Sequence, residues 1–199
     1  MEKQLIISIG REFGSAGHEI ADRLAKHYGL PMYDHNLLRE VAKERGLDAA
    51  KLEEFDEKKR NKLLTRTVRG MSNSPAQNVA QIQFDFLREK AESGKSFVVV
   101  GRCSEYVLKD YGVVSIFILG DMDTKVARIQ RLYNKTEKEA KFMIADRDKS
   151  RKAYHNSHCP VKWGDSRGYD LSLNSSRLGM DESVKILTNY IDTRMKLSK

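Results

Sequence analysis

The residues best suited to chemistry lie in a short loop between a predicted strand and a predicted helix. The loop, Gly10 to Gly17, follows the apolar stretch 4–9 and contains three glycines. Backbone N–H groups in such a loop, together with the positive end of the helix dipole, favour a bound phosphate. The common pattern for this arrangement is G-x-x-x-x-G-K-[ST], in which the lysine reaches the phosphates and the hydroxyl binds magnesium. The layout therefore indicates a phosphate site.

The loop departs from that pattern at three positions. If Gly17 is the last glycine, His18 stands where the lysine would be, Glu19 where the hydroxyl would be, and Glu12 where the first glycine would be. Histidine is a weaker and pH-dependent cation. Arg11 lies in the same loop and is an alternative source of positive charge. A tight turn into a helix, with no ligand, is the competing interpretation.

Arginines beyond this loop are further candidates for phosphate binding. Arg102 follows Gly101 at the end of a predicted strand, where a guanidinium group can make paired hydrogen bonds to phosphate. Two pairs have helical spacing, so that each pair shares one helix face: Arg128 with Arg131, and Arg147 with Arg151. Phosphoryl transfer needs such charge neutralisation and little covalent help. Surface salt bridges and solvated helix faces are the alternatives.

Strands and helices alternate along the chain and must position these residues. Strands are predicted at 4–9, 31–33, 97–100, 113–119 and 169–173, and helices at 19–28, after 34, and at 76–93, 123–133, 137–153 and 181–196. This alternation predicts a parallel sheet covered on both faces, with ligands outside the carboxyl ends of the strands. The glycine loop, Asp34 and Arg102 all fall at that edge. Asp34 is also a candidate cap for the helix that follows it.

Two segments interrupt the regular alternation. Residues 46–74 are dense in charge and lead into the turn-prone stretch Gly70 to Pro75, which predicts an exposed helical insert with an exit loop. Residues 154–168 follow a charged helix and are predicted to form a polar loop. With 199 residues, we expect a single domain spanning 1–199.

Composition narrows the class of partner. The hydrophobic fraction of 40% and the charged fraction of 32% fit a globular protein, and no apolar run approaches the roughly 18 residues that span a membrane. Two distant cysteines are not a disulfide framework, so we expect a reducing, cytoplasmic location and no membrane partner. The net charge of +8 favours an anionic partner, although ordinary solubility charge explains it equally well.

Taken together, the motifs resemble those of the cytidylate kinase-like family. The resemblance is carried in order by residues 6–21, by Tyr33-Asp34, by 98–102 with 115–119 and then Arg128 and Arg131, by Arg147-Asp-x-x-Arg151, and by 169–175 with Leu178. It implies an α/β fold of the P-loop NTPase type, with three α/β/α layers, a five-stranded parallel sheet, a monophosphate-binding insert at about 46–74 and a short lid at about 137–168. It also implies the donor ATP, the cofactor Mg2+ and a nucleoside monophosphate acceptor.

The resemblance also implies roles by position. The donor phosphates would be held by Gly14, Ser15, Ala16, Gly17, His18 and Glu19. The acceptor would be bound by Asp34, Arg39 and Arg102. The charge of the transferring group would be neutralised by Arg11, Arg102, Arg128, Arg131, Arg147 and Arg151. Three positions depart from the family pattern: Cys103 replaces an aspartate, Arg151 replaces an aspartate that helps to read cytosine, and Arg39 lies one residue before the family's phosphate-binding arginine.

The sequence is compatible with three functions. The first is a phosphotransferase acting from ATP on a nucleoside monophosphate or a related small acceptor. The second is a non-catalytic nucleotide-binding or regulatory protein with a degraded phosphate loop, which would bind nucleotide without transferring phosphate. The third is a nucleic-acid-binding protein, whose mark would be salt-dependent binding, but no recognisable binding motif accompanies the charge. We therefore expect nucleotides as partners.

Three further residue groups have competing interpretations. His155, His158 and Cys159 are of metal-ligating types but lack a fourth ligand, so we interpret them as polar lid residues and predict no metal. Trp163 is either a base-stacking residue or, as we favour, an aromatic that anchors a loop. Cys103 is either a thiol activated by nearby arginines or, as we favour, an inert buried cysteine.

Overall fold

The fold is built on a parallel sheet, seen in a computed structural model that describes residues 3–46, 48–50, 52, 67–68, 71–72 and 75–197. The strands are β1 (Ile6–Arg11), β2 (Met32–Tyr33), β3 (Thr67–Val68), β4 (Met71–Ser72), β5 (Phe97–Val100), β6 (Val114–Leu119) and β7 (Leu171–Asn174). Five of them form one sheet in the order β2-β5-β1-β6-β7, and every neighbouring pair is parallel. The predicted five-stranded parallel sheet is confirmed.

Helices connect the strands and cover the sheet. They are α1 (Gly17–Tyr28), α2 (Leu37–Arg45), α3 (Pro75–Glu92), α4 (Ser104–Val107), α5 (Met122–Tyr133), α6 (Glu137–His158) and α7 (Ser175–Leu197). Alternate residues of the central strand face opposite layers. Ile7 packs with the buried face of α1 and with Leu187 of α7, whereas Ile6 packs with α2 and with Phe86 of α3. The three-layer α/β/α architecture follows from this alternation.

Helix α6 is longer than the sequence predicts. The predicted polar loop at 154–168 is wrong at its start, since α6 continues to His158. A capping box at Thr136 fixes its beginning, and the first helix-breaking residue after it is Pro160. Cys159, the residue before that proline, has extended dihedrals (φ −118°, ψ 140°), as the proline ring requires. The helix therefore ends where its backbone is first obstructed.

Three other expectations are corrected or left open by the structure. Asn36, not Asp34, is the N-cap residue of α2, although the Asp34 carboxylate accepts a hydrogen bond from the Asn36 N–H at 2.8 Å. Helix α7 begins at Ser175, six residues before the predicted start, and kinks at Gly179 (φ 74°, ψ 177°). Most of the predicted helical insert at 46–74 lies outside the described residues, and β3 and β4 pair there as an unpredicted antiparallel hairpin.

A helix that crosses a membrane must be both long and apolar. In the part of the chain that the structure describes, none of the helices combines the length and the apolar character needed to cross a bilayer.

Candidate active site

The glycine loop lies at the carboxyl end of the central strand and turns directly into α1. Two residues of the loop have left-handed backbones, Gly14 with φ of 86° and Ala16 with φ of 62°. Ala16 is the N-cap of α1, and no side chain of the described residues caps that helix end. The N–H groups of the first turn therefore remain available to an anion.

A group of buried charged side chains, Lys125 with Glu12 and Asp148, stabilises the glycine loop. The Lys125 side chain of α5 is only 5% exposed, and its Nζ lies 2.9 Å from Glu12 Oε2 and 3.7 Å from Asp148 Oδ2. The Glu12 carboxylate also accepts a hydrogen bond from the Gly120 N–H at 3.1 Å. The loop backbone itself is held from α6, since the Phe13 N–H donates to Asp148 Oδ1 at 2.6 Å. Burial raises the pKa of Asp148, although Phe13 and Lys125 oppose that shift.

A cavity of about 410 Å³ opens beside the loop. It is lined by loop residues 14–16, by Thr124, Ala127, Arg128 and Arg131 of α5, and by Ser175, Ser176, Gly179 and Met180 of α7. Ser175 joins α7 to the loop, because its hydroxyl donates to the Ser15 carbonyl at 2.6 Å. Arg128 also forms an ion pair with Glu19 in the first turn of α1. A cavity of this size, next to a phosphate loop, has room for the nucleoside part of a nucleotide.

The Arg11 side chain runs from the end of β1 between two glycines. A Cβ atom on Gly17 would lie 2.5 Å from Arg11 Cβ, and one on Gly101 would lie 2.2 Å from Arg11 Nη1. The Nε atom of Arg11 is buried and has no hydrogen-bond partner among the described residues. Burial, and then the like charges of Arg151 and Arg102, lower the pKa of Arg11 to about 9. A guanidinium group stays protonated in proteins, so the lowered pKa means that the buried charge of Arg11 destabilises the folded protein. A bound anion beside Arg11 would offset that free-energy cost.

Arg102 belongs to an unusual turn after β5. Gly101, Arg102 and Cys103 have φ values of 77°, 61° and 54°, so three consecutive residues adopt the left-handed conformation. That conformation is costly for residues other than glycine, and strained residues of this kind cluster at functional sites. The Arg102 guanidinium carbon lies 5.9 Å from the centre of the Tyr154 ring. The turn therefore places a charged side chain against α6, next to Arg11.

Arg151 reaches the same place from α6. Its Nη1 donates to the Arg11 carbonyl at 3.2 Å, and its guanidinium lies 5.4 Å from the centre of the Phe13 ring. Burial lowers its pKa, against the opposing effect of Asp148. The structure thus brings Arg11, Arg102 and Arg151 together, and these three arginines are called the arginine cluster below. A site in which three cations approach one another is suited to a multiply charged anion.

Asp34 and two histidines lie next to the arginine cluster. Asp34 Oδ2 is 2.8 Å from His18 Nε2 and 3.0 Å from His35 Nδ1. Desolvation acts to raise the pKa of Asp34, but hydrogen bonds from His18 and the Asn36 N–H outweigh it, so that the pKa is lowered. His18, which occupies the position of the usual lysine, is therefore directed to the carboxylate of Asp34. These three side chains bring potential metal-ligating atoms within 4.8 Å of one another.

Two predicted site residues lie away from this centre. Arg147 is exposed and lines a separate surface hollow with Phe142 and Met143, whereas its predicted partner Arg151 is half-buried. Arg39 is exposed on α2. Spacing of four on a helix places two residues on one side, but the packing of the loop against α6 decides which of them is covered.

Sequence reasoning missed two residues that hold the loop. Lys125 lies one turn before the apolar Ile129, and that spacing is a signal that it belongs to the buried face of α5. Asp148 lies between Arg147 and Arg151 on α6, and of these three residues only the two arginines are predicted site residues. No signal in the sequence pairs either residue with Glu12, from which they are separated by 113 and 136 positions.

Two further candidates have clear positions. The Trp163 ring packs edge-on against Phe117, with centroids 5.4 Å apart, which agrees with its interpretation as a loop anchor. Cys103 is only 2% exposed. A hydrogen bond with Cys159 and burial raise its pKa, and the nearby Arg102 does not reverse the shift. This direction favours the interpretation of Cys103 as an inert buried cysteine.

Comparison with known proteins covers nearly the whole chain. The sequence model of the cytidylate kinase-like family matches residues 6–177. The cytidylate kinase of Methanopyrus kandleri is 29% identical, over 94% of this chain and 93% of its own, and that of Pyrococcus furiosus is 27% identical, over 94% and 88%.

Solved structures agree on the fold. An uncharacterized protein from Eubacterium ventriosum is 41% identical, with a TM-score of 0.77 over 96% of this chain and 99% of its own. Shikimate kinase from Bacteroides thetaiotaomicron is 14% identical, with a TM-score of 0.56 over 94% and 98%, and this likeness concerns the fold alone.

Proposed function

The chain belongs to the cytidylate kinase-like family, and we propose that it transfers the terminal phosphoryl group of ATP to a nucleoside monophosphate. The family supports a nucleotide kinase-like phosphotransferase, and the donor, the acceptor and the residue roles are our proposal. One observation carries it: Arg11, Arg102 and Arg151 converge from three elements beside a loop whose N–H groups are available. Positioning and charge neutralisation of this kind are what phosphoryl transfer requires.

The donor nucleotide is assigned to the cavity beside the loop. Its phosphates would accept hydrogen bonds from the N–H groups of Gly14, Ser15, Ala16, Gly17, His18 and Glu19. Arg128 and Arg131, which line the cavity, would contribute positive charge, while the nucleoside would lie toward α7. Ser175 connects the start of α7 to the loop, because its hydroxyl donates a hydrogen bond to the Ser15 carbonyl.

Magnesium fits this side of the site. Mg2+ is usually held by one or two carboxylates together with substrate phosphates and water. The half-exposed Glu19 carboxylate lies in the first turn of α1, next to the loop, and is oriented by its ion pair with Arg128. Glu19 would therefore hold the metal directly or through water. When bound, Mg2+ would supply charge neutralisation at the donor phosphates.

The acceptor monophosphate is assigned to the other side of the arginine cluster. Arg11 and Arg102 would bind its phosphate, and Asp34 with its two histidine partners would line the nucleoside side. Arg39 on the exposed face of α2 would extend this surface. The insert at about 46–74, whose residues lie mostly outside the described part, would complete the acceptor site within a single domain.

The lid at about 137–168 supplies the remaining charges. Arg151 already contacts the loop, and Arg147 stands exposed one turn earlier on α6. Closure of this segment over bound substrates would bring Arg147 nearer to them and exclude water, which limits hydrolysis of the donor. No side chain needs to act as a strong base in this scheme.

A second function, nucleotide binding without transfer, is favoured by the position of His18. The lysine normally spread over the donor phosphates is replaced by a histidine that is directed to Asp34. Lys125, a buried cation whose Cβ atom lies beside Gly14, is paired with Glu12. Under this alternative, the protein would bind ATP or another nucleotide as a regulatory signal. Nucleic-acid binding has no support beyond the net charge.

A phosphoryl-transfer screen tests the proposal. Nucleoside monophosphates, their deoxy forms and small hydroxyl acceptors would be assayed with ATP and Mg2+, alongside the Arg102→Ala variant and the control Arg88→Ala, a half-buried arginine paired with Asp85. We expect turnover with at least one monophosphate, lost in Arg102→Ala and kept in Arg88→Ala.

Calorimetry separates the two functions if turnover is negligible. Binding of ATP–Mg2+ with no transfer to any acceptor would overturn the kinase proposal in favour of the regulatory one. A failure to bind any nucleotide would remove both.

A further inference from the structure

A buried cluster of four side chains lies where the end of α6 meets the start of α4. Its members are His155 and Cys159 at the end of α6 and Cys103 and Glu105 at the start of α4, and we call it the thiol–histidine cluster. The ligand atoms of Cys103, His155 and Cys159 all lie within 4.8 Å of one another. Glu105 Oε1 lies 2.5 Å from His155 Nε2 and 3.9 Å from Cys159 Sγ. Three potential ligands therefore lie together, and the Glu105 carboxylate contacts two of them.

Burial makes this grouping unusual. Cys103, His155 and Cys159 are 2%, 6% and 8% exposed, and the Glu105 side chain is 7% exposed. A carboxylate and an imidazole are rarely buried unless they are paired or coordinate a metal. The phosphoryl-transfer scheme uses none of the four. The pairing of Glu105 with His155 accounts for the burial of these two groups, and it leaves the two thiols beside them unexplained.

The backbone that presents the cluster is constrained. Cys103 occupies the left-handed region with φ of 54°, although it is neither glycine nor asparagine. His155 and Cys159 are four residues apart at the end of α6, and the Cys159 N–H donates to the His155 carbonyl at 2.8 Å. Pro160 then prevents the helix from continuing. The turn that leads into α4 and the end of α6 thus present the four side chains.

We propose that Cys103, Glu105, His155 and Cys159 bind a zinc-class divalent cation. Two sulfurs, one imidazole nitrogen and one carboxylate oxygen form a ligand set that suits Zn2+, a borderline-soft ion with tetrahedral preference. Tetrahedral coordination at ordinary zinc–ligand lengths separates ligand atoms by about 3.3–3.8 Å. The sulfurs and the imidazole already lie within 4.8 Å of one another, and the contact between Glu105 and His155 needs to open by about 1 Å.

Charge and access are consistent with a cation at this point. The two thiols would lose their protons to solvent on binding, and His155 would bind as the neutral ring. With the Glu105 carboxylate, the ligands would carry three negative charges against two on the metal. An opening of about 160 Å³ reaches Glu105, His155 and Cys159 from the surface, and Lys109 and Lys162 line it. These lysines would balance the remaining charge.

The proposed ion would connect α6 to the turn that carries Arg102. Cys103 directly follows Arg102, and His155 lies one turn after Arg151. A bound metal would therefore fix the positions of Arg102 and Arg151 relative to each other. It would act as a positioning element and would not touch substrate. The inference does not depend on the proposed kinase activity, since the ligands lie outside the phosphate site.

The sequence groups His158 with His155 and Cys159 as residues of metal-ligating types and predicts no metal there, whereas the structure leaves His158 outside the cluster. His158 lies next to Cys159, but its Nδ1 is 2.8 Å from the Tyr154 carbonyl and its ring packs edge-on against Phe84. The tertiary structure replaces it with Cys103 and adds Glu105, which lie more than 50 positions earlier in the chain. His158 is consequently a matched control, because it is a neighbouring histidine outside the ligand set.

Cobalt and zinc binding to the reduced full-length protein test the proposal. The protein would be purified with a phosphine reductant, stripped with a chelator, and titrated with Co2+ alone while absorption is recorded. We expect one equivalent of Co2+ with visible d–d bands of tetrahedral type and a near-ultraviolet thiolate charge-transfer band, both lost on addition of Zn2+. Zinc retained after dialysis, measured by mass spectrometry of the metal, should also reach one equivalent and raise the melting temperature.

Variants separate the site from incidental metal binding. Cys103→Ser and Cys159→Ser should each lose the charge-transfer intensity and the retained zinc, while His158→Gln should keep both. Circular dichroism of the metal-free variants would verify that they fold. The proposal is overturned if the reduced wild-type protein binds no Co2+ with thiolate character. It is equally overturned if both serine variants retain zinc, or if the only chemistry found is a Cys103–Cys159 disulfide on oxidation.

Discussion

The guanidinium group of Arg11 lies against the α-carbon of Gly101, so closely that a Cβ atom at position 101 would come within 2.2 Å of Arg11 Nη1. Gly101 also has φ of 77°, a conformation that side chains disfavour. Position 101 therefore requires glycine for two separate reasons. The first reason is the positive φ of Gly101, and the second is the close approach of the Arg11 guanidinium from the end of β1.

Gly101→Ala should displace Arg11 and remove binding of the acceptor phosphate. Gly112→Ala is the matched control, because Gly112 has a similar φ of 68° but nothing within 4 Å of its added Cβ atom. Both variants should lose about 1 kcal/mol of stability from backbone strain. Only Gly101→Ala should lose the rise in melting temperature caused by a nucleoside monophosphate. Retention of that rise in Gly101→Ala would contradict the assigned role of Arg11.

Arg11→Met should abolish the monophosphate response without lowering the stability of the unliganded protein. The pKa of Arg11 is lowered to about 9 by burial and by two like charges. For a base, a lowered pKa in the folded state means that the protonated group opposes folding at every pH below that value. A methionine of similar length removes this cost. Thermal unfolding with and without monophosphate measures both effects, with Arg88→Met as the control at a half-buried arginine paired with Asp85. A large drop in the unliganded melting temperature would show that Arg11 is chiefly structural.

Lys125→Met should destabilise the protein by about 3–5 kcal/mol, because it leaves the Glu12 carboxylate without its buried partner. The double variant Lys125→Met/Glu12→Gln should recover part of that loss, since it also removes the uncompensated charge. Urea denaturation of the two single variants and the double variant gives the coupling free energy. Strictly additive losses would show that the contact between Lys125 and Glu12 contributes no coupling.

Acid should weaken the contribution of Asp34 to stability. Hydrogen bonds lower the pKa of Asp34 in the folded protein below its ordinary value of 3.8. For a carboxyl group, that direction means that stabilisation is present above the unfolded pKa and is lost as pH falls through the folded pKa. The difference in melting temperature between wild type and Asp34→Asn should thus be largest near about pH 6 and shrink toward about pH 3. A difference that stays constant over this range would count against the linkage.

Much of the scaffold follows from local patterns. The continuous apolar residues of β1, β5 and β6 predict buried parallel strands, and the glycine loop between β1 and α1 predicts a phosphate site at the sheet edge. Boundaries were less accurate, as the continuation of α6 to His158 shows, since no local signal before Pro160 stops that helix. The order of motifs also sufficed to identify the family.

The partners of charged side chains were settled by tertiary structure alone. Spacing assigned Arg147 and Arg151 to one helix face, yet packing of the glycine loop covers only Arg151. The same holds for the contact of Lys125 with Glu12 and for the meeting of Cys103 with His155 and Cys159. Periodicity and turn chemistry act over a few residues and so are readable in the sequence. Contacts across more than 50 positions depend on how whole helices pack against the sheet, which no short stretch of sequence encodes.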